Sequence, residues 1–544
     1  MIAVPAQPGI QNSAYRSAGL YPCETRTASH PFSLSAMRLS DLAREVPGAI
    51  LQPPADPTVS SASSDSRSIT PGSIFVAITG FSSDGHDYLE AAIAAGASAV
   101  AVRAGSEGKW RTVLARRGVG VLVVPDARVA LARIAAAVES YPARRLLTVG
   151  VTGTDGKTSL SHLLAHVLSA AGRKAGLVST AECRIGESPL PDTGRFTTPE
   201  APEVQHMLGE MVSAGCRWGV IEATSHGLAL HRVDECEFDV AVFTNLSRDH
   251  MDFHGSVEDY MAAKGRLFAM LDGSAEKGIE KTAVLNSDDA ASQYFRSLTG
   301  ARIVTYGVLR PGDFRGVILP AEGWSSRFVL PSNGRDHREI VMRKPGLFNV
   351  YNALAAVAVA SVAGIESEAV AAALESWPGA PGRMEVVHGG HPFTVVVDFA
   401  HSPDSLKRIL ELLRERSAGR IIAVFGCIGE RDKDRRFRMG QVAADCADYT
   451  IVTDDNPYSE DRHAIIAEIA SGLRFSGKRD GHDFALIPDR REAIAQALAM
   501  AVDGDAVLLA GKGHEREVHL PDSVYPCHDP DVARRVLRDL GYRG

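Results

Sequence analysis

Short apolar runs that end in polar, glycine-bearing loops recur along most of this chain. The run at residues 146–151 enters a glycine-rich loop at 153–156 and continues into SLSHLLAHVLSAAG, whose apolar residues have helical spacing. Further apolar runs begin at Trp218 and Val240, and helical patterns separate them. Strands that alternate with helices form mostly parallel sheets, whose ligands lie at the carboxyl ends of the strands. The pattern therefore predicts an α/β protein.

The same alternation predicts how the chain divides. Residues 1–36 mix Pro, Ser, Gln, Ala and Thr without periodicity, which favours a disordered tail; a short targeting segment is the alternative. Met37 opens a stretch with helical spacing and is a second possible start of translation. We expect a small α/β domain at 37–145, a central domain at 146–379 and a third α/β domain at 380–544, in keeping with roughly 100 to 200 residues per domain.

Composition narrows the function classes. A net charge of −8 over 544 residues argues against a protein that coats nucleic acid. The seven cysteines are scattered with no C-x-x-C pair, which favours reduced thiols over disulfides or a zinc site. No apolar run approaches the roughly 18 residues that span a bilayer. We expect a cytoplasmic monomer that acts on small molecules, with no nucleic-acid partner and no membrane insertion.

The loop that reads GTDGKTS at residues 153–159 is typical of a nucleoside triphosphate site. A glycine turn at a helix N-terminus aims backbone N–H groups at one point, where a polyphosphate can bind. Lys157 adds a charge for the β- and γ-phosphates, and Thr158 offers a hydroxyl to Mg²⁺. The longer Walker pattern fails at Val151, where it needs glycine, but the shorter form GTxGK[ST] fits completely. The alternative is a strand-to-helix turn that happens to carry Gly-Lys-Thr.

Two strands of the predicted sheet end in polar clusters. The run at Trp218 delivers Glu222, and the run at Val240 is followed by SRDHMDFHG, which contains His250. A parallel sheet brings such strand ends close to the phosphate loop, where a carboxylate and an imidazole can ligate Mg²⁺. The plainer alternatives are a hydrogen-bonded surface histidine and, for Lys264 on the next helical pattern, a lysine that reaches out to solvent.

Eight segments in the order of the chain together resemble the Mur ligases. They are GTDGKTS, EATSHGLALHRV, TNLSRDHMDFHG, YMAAK, LFNVYNALAA, GRMEV, DFAHSPDSL and GKGHE. The resemblance extends from about Met37 to the C-terminus. It implies a UDP-binding first domain, a central P-loop ATPase domain with a parallel sheet, and a Rossmann-like third domain.

This resemblance also implies an activity. The enzyme would be an ATP-dependent, ADP-forming acid–amino-acid ligase with Mg²⁺ as cofactor and ATP as co-substrate. It would add the third amino acid of the peptidoglycan stem to UDP-N-acetylmuramoyl-L-alanyl-D-glutamate through an acyl phosphate. The alternatives are a ligase similar to folylpolyglutamate or cyanophycin synthetases, and a non-catalytic paralogue that binds UDP-muramoyl peptides or ATP as a sensor.

The resemblance further implies a role for individual residues. The expected catalytic residues are Lys157, Glu222, His250 and Lys264. The expected metal ligands are Thr158, Glu222, His250 and Lys264, the lysine as a carbamate, since an ammonium group would repel Mg²⁺. The expected ATP contacts are Gly153, Thr154, Asp155, Gly156, Lys157, Thr158, Ser159, Asn286, Asn349, Arg383 and Asp398. The expected contacts of the UDP-muramoyl dipeptide are Ser66, Thr197, Thr198, Thr224, Ser225 and Arg232.

Some of these positions carry alternatives or depart from the family pattern. Asn349 could be a turn residue and Asp398 a helix cap. Phe196 and Leu230 fall where related enzymes often carry polar residues. Asp155 stands where the family usually has asparagine and adds negative charge near the phosphates, which weakens ATP binding unless Mg²⁺ or a neighbouring cation offsets it. Without such an offset, Asp155→Asn is expected to lower the KM for ATP.

The choice of incoming amino acid is left open by one position. The expected amino-acid contacts are Arg431, Asp455, Asn456, Pro457, Tyr458, Gly511 and Glu515. Diaminopimelate-adding relatives carry DNPR, whose arginine binds a carboxylate, whereas this chain has Tyr458, which cannot form that bidentate ion pair. The other contacts favour meso-2,6-diaminopimelate, and Arg462 or another nearby arginine could supply the missing charge. Lysine, ornithine or an unusual amino acid are the alternatives.

Overall fold

The computed structural model of the protein describes residues 36–81, 83–111, 118–190, 197–330, 338–430 and 433–543. Arg431 and nearly all of the tail predicted at 1–36 lie outside these residues. The chain forms two compact units. The first comprises the chain up to Leu146 with Pro199–Gly215 and Gly227–Cys236, and the second comprises Leu147–Thr198, Cys216–His226 and Glu237–Gly544. The boundaries of three domains stay a prediction.

The first unit is built around a mostly parallel sheet. Its strands in spatial order are Ile50–Gln52, Gly120–Val124, Ala99–Arg103, Ser73–Val76 and Ser61–Ser63. Ile50–Gln52 pairs antiparallel, and the other pairs are parallel. Leu39 and Leu42 of the helix Leu39–Glu45 are fully buried in one core with the helix Ala127–Val138. The helix expected after Met37 is therefore present.

The second unit contains two larger sheets, of which the first holds the phosphate loop. Its strands in spatial order are Ser188–Pro189, Cys183–Ile185, Ala175–Val178, Trp218–Glu222, Leu147–Thr152, Val240–Phe243, Thr282–Asn286, Arg302–Gly307 and Phe314–Arg315. The first two pairs are antiparallel and the rest parallel. Trp218–Glu222 and Val240–Phe243 flank Leu147–Thr152, and all three strands are buried throughout. The parallel sheet expected from the alternation is confirmed, and three polar strand ends lie side by side.

The other sheet of this unit lies in the C-terminal part of the chain. Its strands in spatial order are Glu385–Val386, Thr394–Asp398, Ala506–Ala510, Ile421–Phe425, Tyr449–Val452 and Phe484–Leu486. Glu385–Val386 pairs antiparallel and the others pair in parallel. Ala506–Ala510, the last strand of this sheet in chain order, lies between Thr394–Asp398 and Ile421–Phe425. Chain order therefore reverses here, which is where ligands of open parallel sheets bind.

Three small antiparallel elements were not predicted, because the alternating α/β pattern hides them. They are the pair Met37–Arg38 with Thr58–Val59, the hairpin Glu517–His519 with Val524–Pro526, and the sheet Val317–Leu319, Ser326–Leu330 and Arg338–Met342.

Helices connect most of the strands. The α-helices are Leu39–Glu45, Leu89–Ala94, Glu107–Trp110, Ala127–Val138, Lys157–Ala170, Ala201–Ser213, Ser225–Ala229, Met251–His254, Val257–Ala269, Ser292–Arg296, Leu347–Val362, Ser367–Ser376, Pro403–Arg416, Asp434–Cys446, Arg462–Phe475, Arg490–Met500 and Asp529–Asp539. Short 3₁₀ turns occupy Ser66–Ser68, Gly85–Tyr88, Pro142–Arg145 and Met270–Gly273. Within the described ranges, no helix is both long and apolar enough to cross a lipid bilayer.

Candidate active site

The phosphate loop lies where the strand Leu147–Thr152 passes into the helix Lys157–Ala170. Gly153 and Gly156 have φ angles of 147° and 83°, a region that favours glycine. A Cβ atom on Gly153 would lie 1.8 Å from the hydroxyl of Thr244, so space also requires glycine there. The turn exposes the first N–H groups of a helix of 14 residues, which suits a polyphosphate.

The neighbouring strand end holds this loop in shape. The N–H of Thr154 donates to the backbone oxygen of Asn245 at 2.8 Å, and the N–H of Asp155 donates to the Asn245 side-chain oxygen at 3.0 Å. The hydroxyl of Thr244 and the amide of Asn245 donate to the backbone oxygen of Asp155 at 2.7 and 3.0 Å. Asn245 was not among the expected ATP contacts, although it ends the predicted strand. The backbone of Asp155 is therefore fixed on both sides.

Glu222, at the end of the strand Trp218–Glu222, contacts the hydroxyl of Thr158. The Thr158 hydroxyl lies 3.0 and 3.1 Å from the two carboxylate oxygens, and Thr180 donates its N–H and hydroxyl to the same carboxylate. A guanidinium nitrogen of Arg383 donates to the Thr158 hydroxyl at 3.2 Å. Glu222 is 1% exposed. A buried carboxylate, a hydroxyl and a guanidinium thus meet at the start of the loop helix.

His250 lies in a cluster of rings that includes His226 and Tyr260. It adopts a left-handed backbone with φ 56° just before the helix Met251–His254. Its ring centroid is 4.8 Å from that of His226, and its Nε2 is 3.4 Å from the Asp249 carboxylate. Burial lowers the pKa of His250 to about 3, a shift that Asp249 opposes. The imidazole is therefore neutral at neutral pH and can accept a hydrogen bond or bind a metal.

Lys264, on the helix Val257–Ala269, points inward and not to solvent. Its side chain is buried, and its Nζ donates to the backbone oxygen of Gly153 at 2.6 Å and lies 4.2 Å from the centre of the Tyr260 ring. Burial holds the pKa of Lys264 well below its ordinary value, and the charge of Lys157 lowers it further. Lys157 itself donates to the backbone oxygens of Gly153 and Thr154 at 3.1 and 2.8 Å. The alternative of a lysine that reaches out to solvent is wrong for Lys264.

The four expected metal ligands are only partly brought together. Thr158 and Glu222 are in contact, whereas His250 lies next to Asp249 and Lys264 donates to the backbone oxygen of Gly153. Among the residues that the structure describes, no group of three or more His, Cys, Asp or Glu side chains is arranged to hold a metal ion.

A cleft of about 550 Å³ adjoins the loop, within the range of sites for nucleotide-sized ligands. The expected ATP contacts that line it are Asp155, Gly156, Ser159, Asn286, Asn349, Arg383 and Asp398. Lining residues that sequence reasoning missed include Tyr306, Lys344, Phe348, Asn352 and Arg408. Phe348 and Asn352 belong to the LFNVYNALAA segment, whereas Tyr306, Lys344 and Arg408 come from parts of the chain that no named segment covers.

The alternatives for Asn349 and Asp398 do not hold. Asn349 lies in the first turn of the helix Leu347–Val362, where its amide donates to the backbone oxygen of Pro345 at 2.7 Å. Asp398 ends a strand and accepts the N–H of Met384 at 2.8 Å, whereas Ser402 caps the helix that follows. Burial raises the pKa of Asp398, a shift that the nearby guanidinium opposes.

The expected contacts of the UDP-muramoyl dipeptide are distributed over both units. In the second unit the hydroxyls of Thr198 and Thr224 are 2.9 Å apart, next to Thr197 and to Ser225, which begins a helix. In the first unit Ser66 opens the turn Ser66–Ser68. Arg232, also in the first unit, pairs with Glu200 at 2.6 Å and is 7% exposed.

Most expected amino-acid contacts lie at the carboxyl ends of the C-terminal strands. Asp455, Gly511 and Glu515 line a small cavity together with His401 and Arg435. Burial raises the pKa of Asp455 to about 6, a shift that the buried Lys512 opposes. Asn456 and Pro457 lie in the same loop as Asp455, and the expected contact Arg431 lies outside the described residues.

Lys512 was missed although it belongs to the GKGHE segment. Its Nζ is 2.7 Å from a Glu515 oxygen and 3.1 Å from the Asn456 side-chain oxygen, and the Asn456 amide donates to the same Glu515 oxygen at 2.8 Å. The lysine thus joins the two loops that line the cavity.

The structure disfavours Arg462 as a replacement for the missing arginine. Arg462 forms an ion pair with both oxygens of Asp454. Tyr458 has a φ angle of 53°, and its N–H donates to the backbone oxygen of His519 at 3.0 Å. The ring centroids of Tyr458 and His519 are 5.6 Å apart. Arg435, which lines the cavity, is 3.5 Å from the Asp249 carboxylate.

Comparison with known proteins matches three segments of the chain to one family. Residues 58–139 match the Mur ligase family, catalytic domain; residues 151–360 match the Mur ligase middle domain; and residues 382–513 match the Mur ligase, glutamate ligase domain.

Relatives match over nearly the full chain. A UDP-N-acetylmuramyl-tripeptide synthetase from Roseiflexus sp. (strain RS-1) is 44% identical over 93% of this chain and 100% of its own length. A UDP-N-acetylmuramoyl-L-alanyl-D-glutamate--2,6-diaminopimelate ligase from Geobacillus thermodenitrificans is 39% identical over 92% of this chain and 100% of its own length. A solved structure of an enzyme with that second name is 32% identical, with a TM-score of 0.59 over 89% of this chain and 96% of the other. The chain therefore belongs to the Mur ligase family.

Proposed function

We propose that this chain adds the third amino acid of the peptidoglycan stem to UDP-N-acetylmuramoyl-L-alanyl-D-glutamate, with ATP as co-substrate. The names of its relatives, a tripeptide synthetase and a diaminopimelate ligase, support this reaction. The observation that carries the proposal is the meeting of Glu222, Thr158 and Arg383 at the start of the loop helix. These groups are suited to hold and stabilise a phosphoryl group during transfer.

The reaction has two steps that conserve atoms and charge. ATP transfers its γ-phosphoryl group to the γ-carboxylate of D-glutamate, which gives ADP and an acyl phosphate. The neutral amine of the incoming amino acid then attacks the carbonyl carbon of the acyl phosphate. The tetrahedral intermediate loses one amine proton and expels phosphate, so that the amide and HPO₄²⁻ are left. Both steps gather negative charge, so fixed N–H groups and the cations Lys157 and Arg383 supply much of the stabilisation.

Mg²⁺ fits the oxygen donors at this point. The hydroxyl of Thr158 and the buried carboxylate of Glu222 are hard oxygen ligands already in contact with one another, the type that Mg²⁺ takes alongside phosphate oxygens. Bound there, the ion would neutralise charge on the phosphates.

We also propose that Lys264 is carbamoylated. Carbamoylation joins the free amine to the carbon of CO₂ with loss of a proton, and only a neutral amine can react. The buried position of Lys264 beside Gly153 favours that neutral form. The product is an anion, which can support a cation at the phosphates where an ammonium group would repel it.

The incoming amino acid is proposed to be meso-2,6-diaminopimelate, as the names of several relatives indicate. A second candidate, a diamino acid with one carboxylate such as lysine or ornithine, is favoured by a specific observation. Tyr458 replaces the arginine of the DNPR pattern, and Arg462 is paired with Asp454. Asp455 and Glu515 remain to receive a distal ammonium group.

One assay tests these proposals. Purified protein is incubated with ATP, Mg²⁺, UDP-N-acetylmuramoyl-L-alanyl-D-glutamate and one amino acid, and phosphate release and product mass are measured. We expect release with meso-diaminopimelate and much less without amino acid. Release only with lysine or ornithine would support the second candidate, and no release with any amino acid would contradict the ligase proposal. Glu222→Gln is the matched inactive control.

A further inference from the structure

An ion pair joins the phosphate loop to the C-terminal part of the second unit. The Asp155 carboxylate accepts a hydrogen bond from the Arg408 guanidinium at 3.0 Å. Arg408 lies on the helix Pro403–Arg416, and both residues line the cleft beside the loop. About a third of the Asp155 side chain and 44% of the Arg408 side chain are exposed. No other ion pair of Arg408 is found in the described part of the chain.

A carboxylate at position 155 is unfavourable for the binding of a triphosphate, because of where this residue lies in the loop. Gly156 is the N-cap of the loop helix, and Asp155 directly precedes it. A carboxylate beside a helix N-terminus is attracted by the helix dipole and by the first free N–H groups. Those are the groups that a polyphosphate needs. A free Asp155 carboxylate would therefore compete with ATP as well as repel it.

The hydrogen bonds around Asp155 fix its backbone, while its side chain can still rotate. Asn245 and Thr244 fix its backbone N–H and C=O. Rotation about the side-chain bonds therefore decides whether the carboxylate faces the helix N-terminus or the cleft, and the contact with Arg408 selects the cleft.

We propose that Arg408 is a positioning residue that holds the Asp155 carboxylate away from the anion site of the loop, so that ATP binding depends on this pair. The inference rests on the proposed ATP site. It predicts that the effects of the two residues on ATP binding are coupled, whereas two independent charges would have additive effects. Asp155 harms binding when Arg408 is absent and is nearly harmless when Arg408 is present.

A double-mutant cycle tests this dependence. The Kd for ADP with Mg²⁺ is measured by calorimetry for the starting protein, Asp155→Asn, Arg408→Gln and the double variant. We expect Arg408→Gln to weaken binding about tenfold, since one unpaired charge is left at the site. We expect Asp155→Asn to change binding by less than about threefold alone and to restore most of the loss in the Arg408→Gln background. Restoration also shows that glutamine at position 408 is compatible with a folded, binding-competent protein.

Lys407→Gln is the matched control, because it removes the same charge from the same helix at an exposed residue. Within the described ranges, the one ion pair of Lys407 is with Glu411 along the helix. This control variant should leave Kd within about twofold, and Arg408→Lys should retain most of the affinity. An equal effect of Asp155→Asn in both backgrounds, or an unchanged Kd in Arg408→Gln, would overturn the inference. Failure of the proposed function looks different: the starting protein would then bind no ADP or release no phosphate with any amino acid.

Discussion

A fully buried ion pair supports the loops of the predicted amino-acid site. Arg490 and Asp529 are both 0% exposed, and two guanidinium nitrogens lie 2.8 and 2.5 Å from the two carboxylate oxygens. Arg490 also donates to the backbone oxygens of Asp454 and Ala510 at 3.0 and 2.8 Å. It therefore ties together the ends of two strands from which the cavity loops begin.

Asp529→Asn should loosen these strand ends. The variant leaves a guanidinium buried without its counter-charge, and breaking a buried pair on one side costs about 3 to 5 kcal/mol. At about 1.4 kcal/mol per factor of ten, local opening should become roughly a hundredfold to several thousandfold more frequent. Hydrogen exchange measured by mass spectrometry on peptides that cover Tyr449–Val452 and Ala506–Ala510 reports this directly.

The same variant should affect one substrate more than the other. The KM for the amino acid should rise, whereas the KM for ATP should change little, because the phosphate loop is held by other contacts. Asp531→Asn is the matched control, since Asp531 lies on the same helix in exposed pairs with His528 and Arg534. Such pairs contribute about 0 to 1 kcal/mol. Unchanged exchange in both strand peptides, or an equal change in the control, would refute the reasoning.

Three further predictions concern the active site. Lys264→Ala should lower phosphate release about a hundredfold or more, and formate or acetate should restore part of it without accelerating the unaltered enzyme; undiminished activity would contradict the carbamate. Since burial raises the pKa of Asp455 to about 6, this carboxylate gains a proton as pH falls through 6. The KM for the amino acid should then rise about tenfold per pH unit, and Asp455→Asn should flatten that dependence. Tyr458→Arg should favour diaminopimelate over lysine by roughly 10- to 100-fold in kcat/KM, and Tyr458→Phe should not; an unchanged ratio would show that this position does not select the substrate.

Motifs that lie within one stretch of chain were visible in the sequence. The loop GTDGKTS, the strand ending in Glu222 and the helix bearing Lys264 all appear close to where their patterns place them. Apolar periodicity determines such elements locally, and a turn that needs a positive φ can be recognised from the glycine at that position. The family could be recognised for the same reason, because its segments follow one another in order.

Contacts between distant segments could not be predicted from the sequence. Arg408 lies 253 residues from its partner in the loop, and nothing in the sequence around it distinguishes it from Lys407 beside it. The partner of Arg462, the inward direction of Lys264 and the bridge made by Lys512 likewise depend on which strands become neighbours. For Lys512, the reversal of chain order around Ala506–Ala510 decides those neighbours.

The sequence by itself determined the α/β class, the phosphate loop and the family, because these depend on local patterns and their order along the chain. Only the tertiary structure decided how the charged groups pair, since pairing depends on distances between segments that periodicity does not encode. Asp155 illustrates the difference. In the sequence it is an unfavourable negative charge beside the phosphates, whereas in the fold an arginine 3.0 Å away holds it.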